Sequence, residues 1–296
     1  MNILLAGGNG FIGRYVREKF VPKADITVID SFFDRENINS IKLDLTSKSA
    51  VAEFAFDTSH CDVLIFLVGL AHAKGKGADM PVFRSINLQT IVNLLQALEK
   101  VHKLPGKIIF ASTISVYGER YYHSEYNESL EPEPYSPYAI TKLEAEKYLL
   151  DNYAGRSWLL RFAPVYSENF TLNIDRRTKI NKFFYKAGNG KARLSLCKID
   201  NIMQAMADIL EDNVPPGVYN ISDPIEYTYT DLLSSQEARY VLRIPKSLIW
   251  LVRIGGKLTR NIGIIENSTK LITDNIFSSN KIRRFIDLPH TLNDSL

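Results

Sequence analysis

Ser136-Pro137-Tyr138-Ala139-Ile140-Thr141-Lys142 spaces a phenol and an ammonium four residues apart, just after a helix-start signature of Ser at the cap and Pro at the first helical position. On a helix, Tyr138 and Lys142 share one face. An ammonium beside a phenol favours the phenolate and draws its pKa down from about 10. A phenolate held so takes a proton from an alcohol or sugar hydroxyl. The same spacing occurs on ordinary amphipathic helices, so a second set of groups matters. Ile108-Ile109-Phe110-Ala111 runs as a strand into Ser112-Thr113-Ile114-Ser115-Val116-Tyr117-Gly118. A hydroxyl from Ser112 or Thr113 at that strand end would hydrogen-bond the reacting oxygen and orient it.

A third constellation lies at the start of the chain, where Gly7-Gly8-Asn9-Gly10-Phe11-Ile12-Gly13 follows a strand and opens a helix. Glycines there allow a tight turn, bring backbone N–H groups and the positive helix end to a pyrophosphate, and let helix and strand pack closely. Gly7, Gly10 and Gly13, with the N–H groups of Phe11 and Ile12, form the expected cradle; a βα turn without ligand is the plain alternative. About twenty residues on, the second strand closes on Asp30, where a carboxylate accepts hydrogen bonds from the adenosine ribose of NAD and repels the 2′-phosphate of NADP. The nearest following cation is Arg35. NAD is therefore expected over NADP, and Tyr138 would move the proton while a hydride leaves the same carbon for nicotinamide.

These groups need a scaffold that brings strand ends together. Apolar runs at residues 2–6, 26–29, 38–43, 63–68, 107–112 and 158–162 read as strands buried on both faces, alternating with helices over 11–20, 86–101 and 138–152. Right-handed crossovers make this an α/β, doubly wound parallel sheet. The expected division is residues 1–164 as the dinucleotide domain and 165–296 as a smaller lobe on the carboxyl edge of the sheet, with segments returning to it. In that lobe, helices are expected near 178–187 and 200–212, and a strand at 218–221 after Pro215-Pro216-Gly217. Residues 119–136 read as a long loop over the site.

Composition excludes several other classes. In 296 residues, 36 Lys and Arg face 33 Asp and Glu, a net charge of +3 that gives no sign of nucleic-acid binding. With 45% hydrophobic and 23% charged residues the chain is globular rather than disordered. Cys61 and Cys197 suggest neither a disulfide framework nor a zinc site, and His60, His72, His102, His123 and His290 lack metal-ligand spacing. No apolar run reaches membrane-span length and no signal segment precedes the first strand, so a cytoplasmic protein is expected.

Together these motifs resemble the extended short-chain dehydrogenases/reductases that act on nucleotide-linked sugars. The resemblance rests on the glycine turn, Lys42-Leu43-Asp44-Leu45, residues 66–71, Asn87 in Ser85-Ile86-Asn87-Leu88, Ser112 to Gly118, the Tyr-Lys helix and Gly217-Val218-Tyr219-Asn220-Ile221. It implies a Rossmann-type sheet with a C-terminal substrate-binding lobe. It also implies cofactor contacts at Asp44, Leu45, Val68 and Gly69, with Asp44 at the adenine amino group. Thr113 would be the hydroxyl partner of Tyr138, with Ser112 beside it; Lys142 would hold the nicotinamide ribose, and Asn87 would support the site from its helix. Asp44 capping a turn and Asn87 on an exposed helix face are the plain alternatives. The resemblance further implies a homodimer built on helices 86–98 and 138–150.

Dehydratases of this family carry Asp-Glu after the catalytic threonine, where this chain has Ile114 and Ser115. Elimination lacks its acid and base there. A 4-epimerase acting on a UDP-hexose or UDP-N-acetylhexosamine for a surface polysaccharide is the expected function. A 4-keto-6-deoxy nucleotide-sugar reductase is the alternative, and a nonenzymatic NAD-binding regulator the alternative from another class. Eight Lys and Arg between Arg176 and Lys198, with no acid, offer charge to a nucleotide diphosphate, with Asn173 and Arg177 as the expected substrate contacts. A second acid-free stretch, 246–260, mixes Leu248, Ile249, Trp250, Leu251, Val252 and Ile254 with Lys246, Arg253, Lys257 and Arg260. The expectation is a core-packing helix with a basic outer face; an anionic membrane surface is the less favoured alternative.

Overall fold

The computed structural model describes residues 1–33, 39–71, 79–118, 123–259 and 261–295. Arg35, His72, Arg260 and Ile38, the expected start of the third strand, lie outside them. In chain order the first elements are β1 (Asn2–Ala6), α1 (Phe11–Phe20), β2 (Asp25–Asp30), β3 (Ser40–Lys42), α2 (Lys48–Asp57) and β4 (Val63–Phe66). The helix expected over 86–101 is a π-helical turn at Ser85–Gln89 followed by α4 (Thr90–Lys100), and the helical run starts earlier than expected, with α3 (Met80–Arg84). β5 (Lys107–Thr113), α5 (Pro137–Tyr153) and β6 (Ser157–Phe162) follow.

The remaining elements are β7 (Val165–Tyr166), α6 (Leu172–Thr178), β8 (Lys179–Ile180), β9 (Phe183–Ala187), β10 (Arg193–Leu194), β11 (Cys197–Lys198), α7 (Ile199–Leu210), β12 (Gly217–Ile221), β13 (Tyr227–Thr228), α8 (Tyr229–Ser234), β14 (Val241–Ile244), α9 (Lys246–Leu258) and α10 (Ile262–Ile272).

Seven strands form one sheet in the order β12-β6-β5-β4-β1-β2-β3. The pairs from β3 through β5 are parallel, and the order reverses between β1 and β4. Ligands bind at such a reversal, outside the carboxyl ends of the strands. β4, β6 and all but the first residue of β1 and β5 are buried on both faces, which is why they read as apolar runs without alternation.

The chain divides into two units: residues 1–116, 135–161 and 215–219, and residues 117–134, 162–214 and 220–296. The first holds the sheet core and the chemistry-bearing motifs; its core packs Leu64, Phe66, Ile108 and Phe110 against Leu94, Leu98 and Leu149 of the helices. The second has its own core around Tyr166, Leu196, Tyr227 and Leu232. Of the stretch 119–136 read as a loop over the site, the described residues 123–134 fall in the second unit and 135–136 in the first.

The helix expected near 178–187 is absent: α6 ends at Thr178, and residues 179–187 form a hairpin. Lys179 and Ile180 pair antiparallel with Phe184 and Phe183, and Asn181 sits at φ 54° in the turn between them. Aromatic Phe183, Phe184 and Tyr185 favour a strand, and Asn tolerates the left-handed conformation that a tight turn demands. No helix among the described residues is long and apolar enough to cross a membrane.

Candidate active site

The glycine turn is as tight as its spacing requires. Gly7 has φ 82°, and a side chain there would meet the Val68 nitrogen at 2.9 Å. A Cβ on Gly13 would stand 2.6 Å from the Gly7 carbonyl oxygen and from the Gly8 Cα, so only glycine lets α1 start this close to β1. Gly10 occupies the N-cap without a side-chain cap, so the positive N-terminal end of α1 opens directly on the glycine turn. Asp30 at the end of β2 accepts a hydrogen bond from the Asn9 N–H at 3.0 Å, which fixes the carboxylate beside the turn.

Asp44 accepts from the Thr46 N–H at 2.9 Å and from the Thr46 hydroxyl at 2.7 Å, and these bonds hold its carboxyl below the usual range. It closes the turn into α2 and remains exposed. The Leu45 side chain belongs to the core, so only its backbone is available to a ligand, and its carbonyl accepts from Asn93 at 3.0 Å.

The Tyr-Lys motif lies in the first turns of α5, where the Ser136 hydroxyl accepts from the Ala139 N–H and Pro137 supplies a preset φ. The Tyr138 phenol hydrogen-bonds the Thr113 hydroxyl. Burial pushes the phenol up to about 12 against the opposing pull of that bond. Lys142 lies on the face of α5 that the spacing predicts, but its partners are backbone carbonyls. Its ammonium donates to the carbonyls of Val68 at 3.1 Å and Ala111 at 2.9 Å, 4.6 Å over the Phe110 ring, tying the end of β4 to the end of β5. Burial pulls it down to about 7, opposed by the Glu146 carboxylate. In the protein alone the two shifts therefore run against the expectation of a phenol made acidic by its lysine: desolvation dominates both. A Cβ on Gly69 would lie 3.1 Å from the Lys142 Nζ, so that glycine keeps room for the lysine.

Ser112 is a correction to the sequence reading. While Thr113 meets Tyr138, the Ser112 hydroxyl donates to the buried Glu146 carboxylate. Glu146 also receives Arg161, with Nη2 to Oε2 at 2.6 Å and Nε to Oε1 at 3.0 Å. This buried ion pair went unread in the sequence, although Glu146 continues the face of Tyr138 and Lys142 at the same interval of four.

Asn87 is fully buried rather than on an exposed face. Its Oδ1 accepts from the Leu70 N–H at 2.6 Å, and its Nδ2 donates to the Leu70 carbonyl at 3.3 Å and to Thr141 Oγ1 at 3.0 Å. It stands in the π-helical turn and braces the segment after β4 against the helix that carries Lys142. Asn173 and Arg177 lie one turn apart on α6, in the second unit. There Asn173 donates to the Val165 carbonyl at 2.7 Å and Arg177 to the Asn173 carbonyl. Within the basic run, Lys179 pairs with Asp175 and Arg193 with Glu226 and Asp274, so part of its charge is already matched.

A buried lysine at about 7 makes a stability prediction. Unfolded, Lys142 titrates near 10.5; between about pH 7 and 10.5 the unfolded chain binds the proton that the native protein has released, so native stability rises with pH across that window. Below pH 7 both states are protonated and the desolvation cost is fully present. Relative to Lys142→Met, the wild type should gain several kcal/mol from pH 6.5 to 10.5, up to roughly 5 kcal/mol. Urea unfolding of both proteins across this range checks it; parallel curves would refute a depressed lysine.

The cradle fits a dinucleotide: glycines are present where a side chain would collide, a helix N-terminus opens on the turn, and a carboxylate is fixed at the end of β2. The profile of the NAD dependent epimerase/dehydratase family matches residues 3–222. UDP-glucuronic acid decarboxylase 3 of Arabidopsis thaliana is 25% identical over 265 residues, 78% of this chain and 72% of that protein. N-acetyl-alpha-D-glucosaminyl-diphospho-ditrans,octacis-undecaprenol 4-epimerase of Escherichia coli O157:H7 is 26% identical over 258 residues, 82% of this chain and 74% of its own length. The crystal structure of UDP-glucuronic acid 4-epimerase from Bacillus cereus in complex with NAD matches with a TM-score of 0.74 at 22% identity, covering 100% of this chain and 94% of that one, a likeness of fold. With its glycine turn, Tyr-Lys helix and β12 all inside the matched span, the chain belongs to the NAD dependent epimerase/dehydratase family, as an NAD-dependent enzyme of the extended short-chain dehydrogenase/reductase type.

Proposed function

We propose that this enzyme is a 4-epimerase of a UDP-hexose or UDP-N-acetylhexosamine serving surface-polysaccharide synthesis. The observation that carries the reading is the Thr113–Tyr138 hydrogen bond at the end of β5, followed by Ile114 and Ser115 rather than by an acid and a base. Such a site moves one hydroxyl proton and has no pair of ionisable groups for eliminating water. Bound NAD would supply reversible hydride acceptance. Gly7, Gly10 and Gly13 with the N–H groups of Phe11 and Ile12 would hold its pyrophosphate, Asp30 its adenosine ribose, and Asp44 and Leu45 its adenine. Val68, Gly69 and Lys142 would border the nicotinamide end.

The chain's own residues divide the remaining work. Tyr138 takes and returns the proton at its phenol oxygen; Thr113 orients the reacting oxygen through its hydroxyl. Lys142 and Asn87 hold the ends of β4 and β5 and the following segment in register with α5. Asn173 and Arg177 would meet the substrate diphosphate. The names of relatives that act on UDP-sugars and on a lipid-linked sugar diphosphate support a sugar joined to a diphosphate.

Denaturing the purified protein and weighing the released nucleotide tests this reading, because an epimerase keeps its NAD between half-reactions. Near-stoichiometric NAD or NADH, with interconversion of UDP-hexoses or UDP-N-acetylhexosamines at carbon 4, is expected. An empty protein that consumes NADH or NADPH with a 4-keto sugar would overturn epimerisation in favour of reduction.

A further inference from the structure

The acid-free stretch after residue 245 does not pack as its expected core-facing helix. In α9 only Ile249 and Gly256 are buried. Gly256 is the crossing point with α10: a Cβ there would stand 2.8 Å from the Ile264 side chain, and this contact sets the inward side of α9. On the remaining surface Leu248, Leu251, Val252 and Leu258 recur at three- and four-residue intervals and share one exposed stripe, Leu251 at 59% and Leu258 at 81%. Lys246, Arg253 and Lys257 lie together on the opposite side of the helix, with the exposed Trp250 among them. Strand β14, which leads into α9, adds exposed Leu242 and Arg243.

We propose that α9 docks this protein on an anionic lipid surface, lying in the interface with Leu248, Leu251, Val252 and Leu258 among the acyl chains. The charge pattern selects this occupant. From Arg239 to Ile265 the sequence has six Lys and Arg and no Asp or Glu, although the whole chain carries only +3. Anionic headgroups match these cations, and a helix with leucines along one side and Lys246, Arg253 and Lys257 along the other has the two-faced pattern of an interfacial helix. At 13 residues the helix is too short to span and long enough to lie flat.

The test uses the full chain with vesicles of phosphatidylcholine containing about 30% phosphatidylglycerol, set against pure phosphatidylcholine vesicles. Expected are co-sedimentation at low salt at least about tenfold stronger with the anionic vesicles, and release by added salt. Leu251→Glu/Leu258→Glu changes exposed positions only; it should keep the wild-type unfolding midpoint and lose at least about tenfold in vesicle binding. No binding to anionic vesicles, or binding that the double variant leaves intact, would overturn the proposal. So would a lipid-free dimer that the double variant splits into monomers without any vesicle binding by the wild type, because the face would then belong to a second copy.

Discussion

Tyr138→Phe is expected to lower kcat by roughly 10²- to 10⁴-fold, the usual worth of a positioned acid–base group. KM and the unfolding midpoint should change little, because the ring stays and what is removed is the hydroxyl that bonds Thr113. Thr113→Val should give a smaller loss of the same kind, since it removes the orienting hydroxyl and leaves the phenol. A companion experiment reads the proton itself. Burial raises the phenol to about 12, so in protein freed of nucleotide the ultraviolet difference between wild type and Tyr138→Phe should show no phenolate below about pH 11. A phenolate signal near neutral pH in that protein would mean that Lys142 alone ionises the tyrosine, contrary to its bonds to Val68 and Ala111. Turnover by Tyr138→Phe at the wild-type rate would remove the tyrosine from the chemistry.

Glu146→Gln should destabilise the protein by about 3–5 kcal/mol, because it leaves the Arg161 guanidinium buried without a counter-charge. Lys142 should respond as well. Glu146 is the group that opposes its downward shift, so the variant's lysine should titrate below about 7, and the pH window in which stability rises should begin lower. Replacing both partners, Glu146→Leu with Arg161→Met, should recover much of the loss, since an apolar pair of similar size replaces two desolvated charges. A double variant as unstable as the single would show that the cost lies in packing or in the lost Ser112 bond. Urea unfolding at pH 7 separates these outcomes.

The glycine turn, Asp30 and the start of α5 were legible because each is a local rule: a side chain would collide, a strand ends, a cap precedes a proline. The pairing of Thr113 with Tyr138 was also legible, though only through the family pattern. Ser112 was misread because neighbouring hydroxyls look alike in a sequence, and both meet α5: Thr113 at Tyr138 in its first turn, Ser112 two turns further on at the Glu146 carboxylate. Lys142 was placed correctly on its face, but its partners are backbone carbonyls, which no side-chain pattern reveals. Asn87 was ambiguous for a related reason. The π-helical turn shifts the periodicity by which burial is read, so a buried brace passes for a solvated residue. The stretch at 178–187 was read by its charges, whereas its aromatics and Asn181 set the hairpin. α9 was assigned to the core on composition, whereas its buried side is narrow, made by Ile249 and Gly256, and leaves most of its leucines outside.

The order β12-β6-β5 in the sheet has a consequence for synthesis on the ribosome. Every residue of β6, Ser157-Trp158-Leu159-Leu160-Arg161-Phe162, is buried in the finished protein, and the strand that covers its outer edge begins only at Gly217. At roughly 5–20 residues per second the nascent chain must wait about 3–11 s between the two. During that interval an apolar strand offers its unpaired N–H and C=O groups to any neighbouring chain. Truncation after β6 would make that interval permanent, so the first unit is not separable at the boundary its motifs suggest, and holdase chaperones have a defined moment at which to act.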